Sequence, residues 1–268
     1  MISRVCISIN NRCNLSCKYC HFHEKGMLND EDMDVFRILD NIKHYTKEPF
    51  KIGFVGNGEP FLDWQKLKAY ISYIEDCSNI SAYTITNGTI PLTDEDWQFL
   101  EDHQINVGFS IDGYKDLHDT NRCGSFEKAV RNVEEYKRVT GHYPTFNATV
   151  GEDALKDPES VISFFKQYGT RVTFSRMIGK YGITLKQYRD FLDRAEKEIP
   201  VRRGGLDCTM YGGQCGAGTN NYFFANGKVY FCGNCVDLPP LGDSSMTFEE
   251  LERISLEFDR NYCYKESV

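Results

Sequence analysis

The stretch Arg4-Val-Cys-Ile-Ser-Ile-Asn10-Asn-Arg-Cys13-Asn-Leu-Ser-Cys17-Lys-Tyr-Cys20 decides how the chain is read. Its first half, Arg4–Asn10, is short, apolar and β-branched, the composition of a strand. It runs straight into three cysteines, Cys13, Cys17 and Cys20, spaced so that the thiolates fall within eight residues. Three such thiolates can wrap one corner of a cubane iron–sulfur cluster and ligate three irons. No fourth cysteine is nearby, so one iron stays open to another ligand. The alternative is a zinc knuckle completed by His21 or His23, although zinc sites usually pair two Cys-x-x-Cys units.

Outward from this point, strand-like runs recur at Lys51–Val55, Ala82–Thr86, Val107–Ile111, Thr145–Val150 and Arg171–Ser175. Amphipathic stretches separate them. Asp30–Tyr45 repeats apolar side chains at Met33, Phe36, Leu39 and Ile42, and Ser125–Val139, opening on Ser-x-x-Lys, does so at Phe126, Val130, Val133 and Tyr136. Trp64–Cys77, Glu95–His103 and Pro158–Tyr168 supply further helices. Six strands alternating with helices imply right-handed βαβ units and a parallel sheet. An eight-fold barrel needs roughly 250 residues, so an α/β fold with a partial (β/α)6 TIM-like barrel is expected over residues 1–183. Ligands of such sheets bind at the carboxyl ends of the strands.

Beyond Gly182 the character changes. A helix at Leu185–Ile199 precedes the Gly- and Cys-rich segment Gly204–Cys235, and Thr247–Phe258 reads as a last helix. Within the segment, Tyr222–Phe224 and Lys228–Phe231 flank Asn226-Gly227, a type I′ hairpin signal. Residues 184–268 are therefore expected to form a small Cys-rich hairpin and helix domain.

The 268 residues carry a formal net charge of −8, which argues against a general nucleic-acid binder, since backbone phosphates need a basic face. No membrane span or signal peptide is legible. Eleven cysteines, seven of them in two clusters, with no secretory signal, suit metal or iron–sulfur ligation in the cytoplasm better than disulfides.

Cys-x3-Cys-x2-Cys in a first βα loop, with Tyr19 before the last cysteine, resembles the radical S-adenosylmethionine (SAM) superfamily. The resemblance implies a [4Fe–4S] cluster on Cys13, Cys17 and Cys20. Its open iron binds the amino and carboxylate groups of SAM, and its electron cleaves SAM to a 5′-deoxyadenosyl radical. Gly56-Asn57-Gly58-Glu59-Pro60, after the second strand, is similar to the Gly-Gly-Glu-Pro motif that receives the SAM amino group, with Asn57 departing from the commonest form. Thr86-Asn87-Gly88 and Ser110-Ile111-Asp112-Gly113, followed by His118, Asp119 and Arg122, resemble later strand-end motifs. Tyr19, Gly56, Gly58, Glu59, Pro60, Asn87, Ser110, Asp112 and Arg122 are thus the implied cofactor residues. Ser110 corresponds to a ribose- or carboxylate-contacting serine, and Arg122 to a residue near the SAM carboxylate. Asn147, Thr149 and Arg176 are weaker pocket candidates.

Cys208-x6-Cys215-x16-Cys232-x2-Cys235 resembles the opening of the SPASM extension, in the shorter one-cluster form called Twitch. It implies a second, auxiliary [4Fe–4S] cluster on Cys208, Cys215, Cys232 and Cys235, with Cys263 a possible substitute ligand and structural zinc the alternative. Of the remaining cysteines, Cys6 reads as a buried small hydrophobe, Cys77 has no evident role, and Cys123 is a candidate hydrogen-atom donor to a substrate radical. The run from Ser110 to Ala129 is similar to anaerobic sulfatase-maturating enzymes and ribosomal-peptide maturases. That points to a peptide or protein substrate, with a separate recognition protein where a leader must be read. A Twitch-type dehydrogenase of a small molecule, and a non-catalytic metal-binding module, are the competing readings. A flavodoxin or ferredoxin is the implied reductant.

Overall fold

The computed structural model describes residues 1–24, 33–177, 179–203 and 216–257. Ten strands form one sheet: β1 Arg4–Ser8, β2 Phe50–Val55, β3 Ile80–Thr86, β4 Asn106–Ser110, β5 Thr145–Val150, β6 Val172–Arg176, β7 Val201–Arg203, β8 Asn221–Ala225, β9 Lys228–Tyr230 and β10 Gly242–Asp243. The helices are α1 His21–Glu24, α2 Val35–Tyr45, α3 Trp64–Tyr73, α4 Asp94–Asp102, α5 Lys115–Asn121, α6 Phe126–Thr140, α7 Glu152–Lys156, α8 Pro158–Lys166, α9 Leu185–Ala195 and α10 Phe248–Glu257.

The spatial order is β10-β9-β8-β1-β2-β3-β4-β5-β6-β7. The six expected strands pair in parallel in sequence order, as βαβ connections require. Two further parallel strands extend them, β7 beside β6 and β8 beside β1. The hairpin is where the sequence places it: Asn226 and Gly227 have φ of 51° and 66°, the left-handed pair of a type I′ turn. Its first strand is hydrogen-bonded to β1 itself, a long-range parallel pairing that no local pattern announces.

One face of the sheet packs under the helices. Val5, Ile7, Ile52 and Phe54 are fully buried there, against Ile38, Leu39 and Ile42 of α2. Phe36, expected on that buried stripe, is instead 41% exposed and sets its ring edge-on to Tyr70 and Tyr73. Helix α10 closes the β8 side, where Phe248 meets Tyr45, Phe50 and Phe224.

The opposite face lines a lumen. Cys6, expected as a buried hydrophobe, is half-buried on this side, and its thiol shares a 3.2 Å hydrogen bond with Tyr83. The Tyr83 ring crosses Gly53, where a Cβ would fall 2.5 Å from it. Arg202 on β7 and Arg4 on β1 both act electrostatically on Tyr83 of β3. Strands so far apart in sheet order share such a neighbour only where the sheet curls, so the expected barrel-like curvature is present.

Candidate active site

The loop after β1 carries Cys13, Cys17 and Cys20, all half-buried. Local bonds shape it: Leu15 N–H donates to Cys13 Sγ at 3.5 Å, and Cys20 N–H to the Cys17 carbonyl at 3.0 Å. Burial, the largest cause, pushes the Cys13 thiol up and the Cys17 thiol up to about 12, where Arg122 partly offsets it. Ligation therefore has to draw protons from these sulfurs.

The strand-end loops grip this loop from two sides. On the β2 side, Glu59 N–H donates to the Arg12 carbonyl at 2.7 Å, and Gly58 N–H to the Asn10 carbonyl at 3.3 Å. A Cβ on Gly58 would sit 1.9 Å from the Arg12 carbonyl oxygen, so glycine is needed for the approach. The buried Glu59 carboxylate turns inward. It accepts from Phe61 N–H at 3.0 Å, the Thr86 hydroxyl at 2.7 Å and Asn87 N–H at 2.6 Å, clamping the β2 loop to the β3 loop. Burial raises its pKa and these donors work against the rise. Pro60 starts the short 3₁₀ turn that Glu59 caps. Asn87 reaches Asn14 Oδ1 at 2.9 Å and lies 3.9 Å from Cys13 Sγ. Asn57, the departure from glycine, donates to Asn11 Oδ1 at 2.9 Å, and Asn11 donates to Asn226 at the hairpin tip.

On the β4 side a buried charge network lies beside Tyr19. Asp112 accepts from Tyr19 Oη at 2.8 Å, Asn121 Nδ2 at 3.2 Å and Thr149 N–H at 3.1 Å, and faces Arg122 Nε at 3.2 Å. Three donors and the facing guanidinium surround the carboxylate. Burial opposes the Arg122 charge, but Asp112, Tyr19 and Cys17 outweigh it and hold the guanidinium above its usual range. Arg122 also lies 5.4 Å from the centre of the Tyr19 ring. Beneath them His118 is fully buried. Its pKa is pushed down to about 4 by burial and then by Arg122. Neutral His118 accepts from Asp112 N–H at 3.4 Å and donates to Ser125 Oγ at 2.9 Å. Ser125 therefore does not cap α6 with its side chain; Asp119 takes the Phe126 N–H at 2.9 Å instead.

Ser110 ends β4 half-buried and in register with Asn147. Gly56 packs tightly on the Asn10 carbonyl. Cys123 is exposed, adopts φ of 58°, and donates its thiol hydrogen to the Ser16 carbonyl at 2.9 Å, which sets it beside the cysteine loop. A cleft of about 240 Å³ opens at the ends of β5 and β6, lined by Lys18, Asn121, Gly151, Asp153, Met177 and Tyr181 among others. Lys18 there pairs with Asp153 at 2.7 Å and lies 4.6 Å from the centre of the Tyr181 ring. These residues follow no sequence pattern and come together only in the fold.

Among the described residues, no three His, Cys, Asp or Glu side chains gather tightly enough to hold a single metal ion. His23, offered as a zinc ligand, lies 3.0 Å from Ser16 Oγ. In the hairpin region Cys232 is half-buried and Cys235 buried, the first capping and the second ending a tight 3₁₀ turn. Cys232 is near enough to Cys6 to raise its pKa, although burial is the larger cause. Cys208, Cys215 and Cys263 lie outside the described residues.

The family model of the radical SAM superfamily matches residues 7–153, more than half of the chain. The chain belongs to the radical SAM superfamily. It is 27% identical to the cysteine-type anaerobic sulfatase-maturating enzyme of Clostridium perfringens, an alignment covering 89% of this chain and 76% of that one. It is 22% identical to the radical SAM cyclopropyl synthase TigE of Paramaledivibacter caminithermalis, over 77% of this chain and 47% of the relative. Among solved structures, anSMEcpe with bound AdoMet superposes with a TM-score of 0.76 at 22% identity, over 97% of this chain and 81% of that one. Streptococcus suis SuiB bound to precursor peptide SuiA gives 0.76 at 14% identity, over 94% and 64%. These two likenesses bear on the fold.

Radical SAM enzymes use a [4Fe–4S] cluster and SAM, and this chain is such an enzyme. The cysteine loop fits that cofactor pair. Three half-buried sulfurs on one loop act on one another electrostatically, as befits thiolates that each take one iron of a single cluster. No helix among the described residues is long and apolar enough to cross a membrane.

Proposed function

We propose that this radical SAM enzyme removes a hydrogen atom from a peptide or protein substrate, as a step of oxidation, crosslinking or epimerisation. The observation that carries the reading is the interlock of Cys13, Cys17 and Cys20 with the β2 loop through Gly58 and Glu59, and with β4 through Tyr19, Asp112 and Arg122. The names of its relatives, a sulfatase-maturating enzyme and a cyclopropyl synthase, support the choice of substrate.

In this reading Cys13, Cys17 and Cys20 hold three irons. When bound, the cluster and SAM supply a 5′-deoxyadenosyl radical as the hydrogen-abstracting species. The chain's own residues bind and orient. The Gly56–Pro60 main chain and the Ser110 hydroxyl face the SAM site, and Asn87 fixes the Cys13 end of the loop. Asp112 acts through Tyr19 and Arg122 rather than on the cofactor, since its oxygens are already occupied. Cys208, Cys215, Cys232 and Cys235 hold the auxiliary cluster, within 184–268. Cys123, pinned to Ser16, is the candidate hydrogen-atom donor where the product regains hydrogen.

Anaerobic reconstitution tests the assignment. About eight irons per chain are expected for two [4Fe–4S] clusters, and Cys17→Ala removes about half. Incubation with SAM and a strong reductant releases 5′-deoxyadenosine from the parent protein and not from the variant. Full iron in Cys17→Ala, or no 5′-deoxyadenosine from the parent, contradicts the proposal.

A further inference from the structure

Between the second and third cysteines of the loop, one residue is held from two directions. Lys18 lies between Cys17 and Tyr19. Its N–H donates to the Asn121 carbonyl at 2.8 Å, at the end of α5 beside the Asp112 network. Its ammonium pairs with Asp153, in the first turn of α7, at 2.7 Å and lies 4.6 Å from the centre of the Tyr181 ring. Among the described residues, Lys18 carries every hydrogen bond and ion pair that joins residues 13–20 to residues 151–181.

The partners of the ammonium belong to one wall. A Cβ on Gly151 would fall 2.7 Å from Met177 Sδ and 3.2 Å from the Tyr181 carbonyl oxygen, so the loops after β5 and β6 pack directly on each other. Met177 N–H also donates to the Val150 carbonyl at 2.9 Å. Between that wall and the cysteine loop lies the cleft of about 240 Å³, with room for several waters. The Lys18 side chain spans it. Consecutive Cα atoms are about 3.8 Å apart, so a displacement of Lys18 carries Cys17 and Tyr19 with it. The side chains of Lys18 and Asp153 are only 27% and 32% exposed, which leaves their attraction less screened than that of an open surface pair. The Tyr181 face adds to it.

We propose that Lys18 is a positioning residue for the cofactor site. Through Asp153 and Tyr181 it holds the Cys17–Cys20 half of the cysteine loop against the loops after β5 and β6, and so limits solvent access to that side. The inference rests on the cluster ligands proposed above. It adds a third grip on the loop, besides the β2 grip through Gly58 and Glu59 and the β4 grip through Tyr19, Asp112 and Arg122.

Iron release from the full-length, reconstituted protein tests it. After reduction, a ferrous chelator strips iron at a rate that follows local opening of the site. The phase missing from Cys17→Ala reports the cluster on Cys13, Cys17 and Cys20. Lys18→Gln and Asp153→Asn should each speed that phase about fivefold, equivalent to the roughly 1 kcal/mol at the upper end for a partly exposed ion pair. The double variant should be no faster than either single one, because both remove the same contact. Lys18→Arg keeps the charge and the ring contact and should match the parent. So should Lys156→Gln, which removes only the other partner of Asp153. Should Lys18→Gln bind no iron, Asp153→Asn, which leaves the cysteine loop itself intact, decides alone. Parent-like release from Asp153→Asn, effects that multiply in the double variant, or equal acceleration by Lys156→Gln would overturn the proposal. Failure of the ligand assignment is read separately, as full iron in Cys17→Ala.

Discussion

Gly58 has no space for a side chain, because the Arg12 carbonyl oxygen lies 1.9 Å from where a Cβ would go. The obstacle is backbone, so neither partner can swing aside without moving the cysteine loop. Gly58→Ala is therefore expected to cost about 1–3 kcal/mol by overpacking and to lower the iron retained after reconstitution. Denaturant midpoints and iron content check both effects, and an unchanged variant would show that the contact is slack. His118 gives a residue-scale prediction in pH. Its folded pKa of about 4 lies below the ordinary histidine value of 6.5, so the unfolded chain binds the extra proton between them. Its contribution is thus fully present above the unfolded pKa and is lost as pH falls towards the folded one, by about 3 kcal/mol at most. The buried Glu59, with its raised pKa, acts in the opposite sense. The informative quantity is consequently the difference between the parent and His118→Gln, whose stability should fall less steeply from neutrality to mild acid. Parallel curves would refute the assignment.

At the scale of elements, the hairpin is joined to the cysteine loop by side chains as well as by the sheet. Asn226 needs a left-handed backbone at the turn and also accepts from Asn11, which Asn57 contacts in turn. The two roles separate by substitution. Asn226→Gly keeps the turn and loses one hydrogen bond, for about 1 kcal/mol. Asn226→Ala adds the left-handed strain of a non-glycine residue, roughly 1–2 kcal/mol more. Urea unfolding of the two variants should rank them in that order, and equal stabilities would remove the amide chain from the account. Strand existence was legible here because apolar runs, turn residues and the Asn226-Gly227 pair are local signals. The cap of α6 was misread because Ser125 meets a buried histidine from the preceding helix, a demand invisible in its own neighbourhood.

Across the whole molecule, eight parallel strands bring residues far apart in sequence to one end of a lumen. The cysteine loop, Glu59, Asn87, Ser110 and Arg122 sit at or beyond the carboxyl ends, where the strand-end motifs of the sequence put them. Strands β7 and β8 were also missed as parallel neighbours. The first is only three residues long, and the second finds β1 across more than two hundred residues of chain.

By itself the sequence determined the alternating α/β plan, the cysteine spacing and the strand-end motifs, because each depends on residue type and short-range order. It also determined the family, since Cys-x3-Cys-x2-Cys with Gly58-Glu59-Pro60 some forty residues later is a pattern in one dimension. Only the tertiary structure decided that Asp112 is held by Tyr19, Asn121 and Thr149 and faced by Arg122, and that Cys6 faces a lumen. Those outcomes depend on how strands curl and which charges lose their water together, and burial is a property of the folded chain.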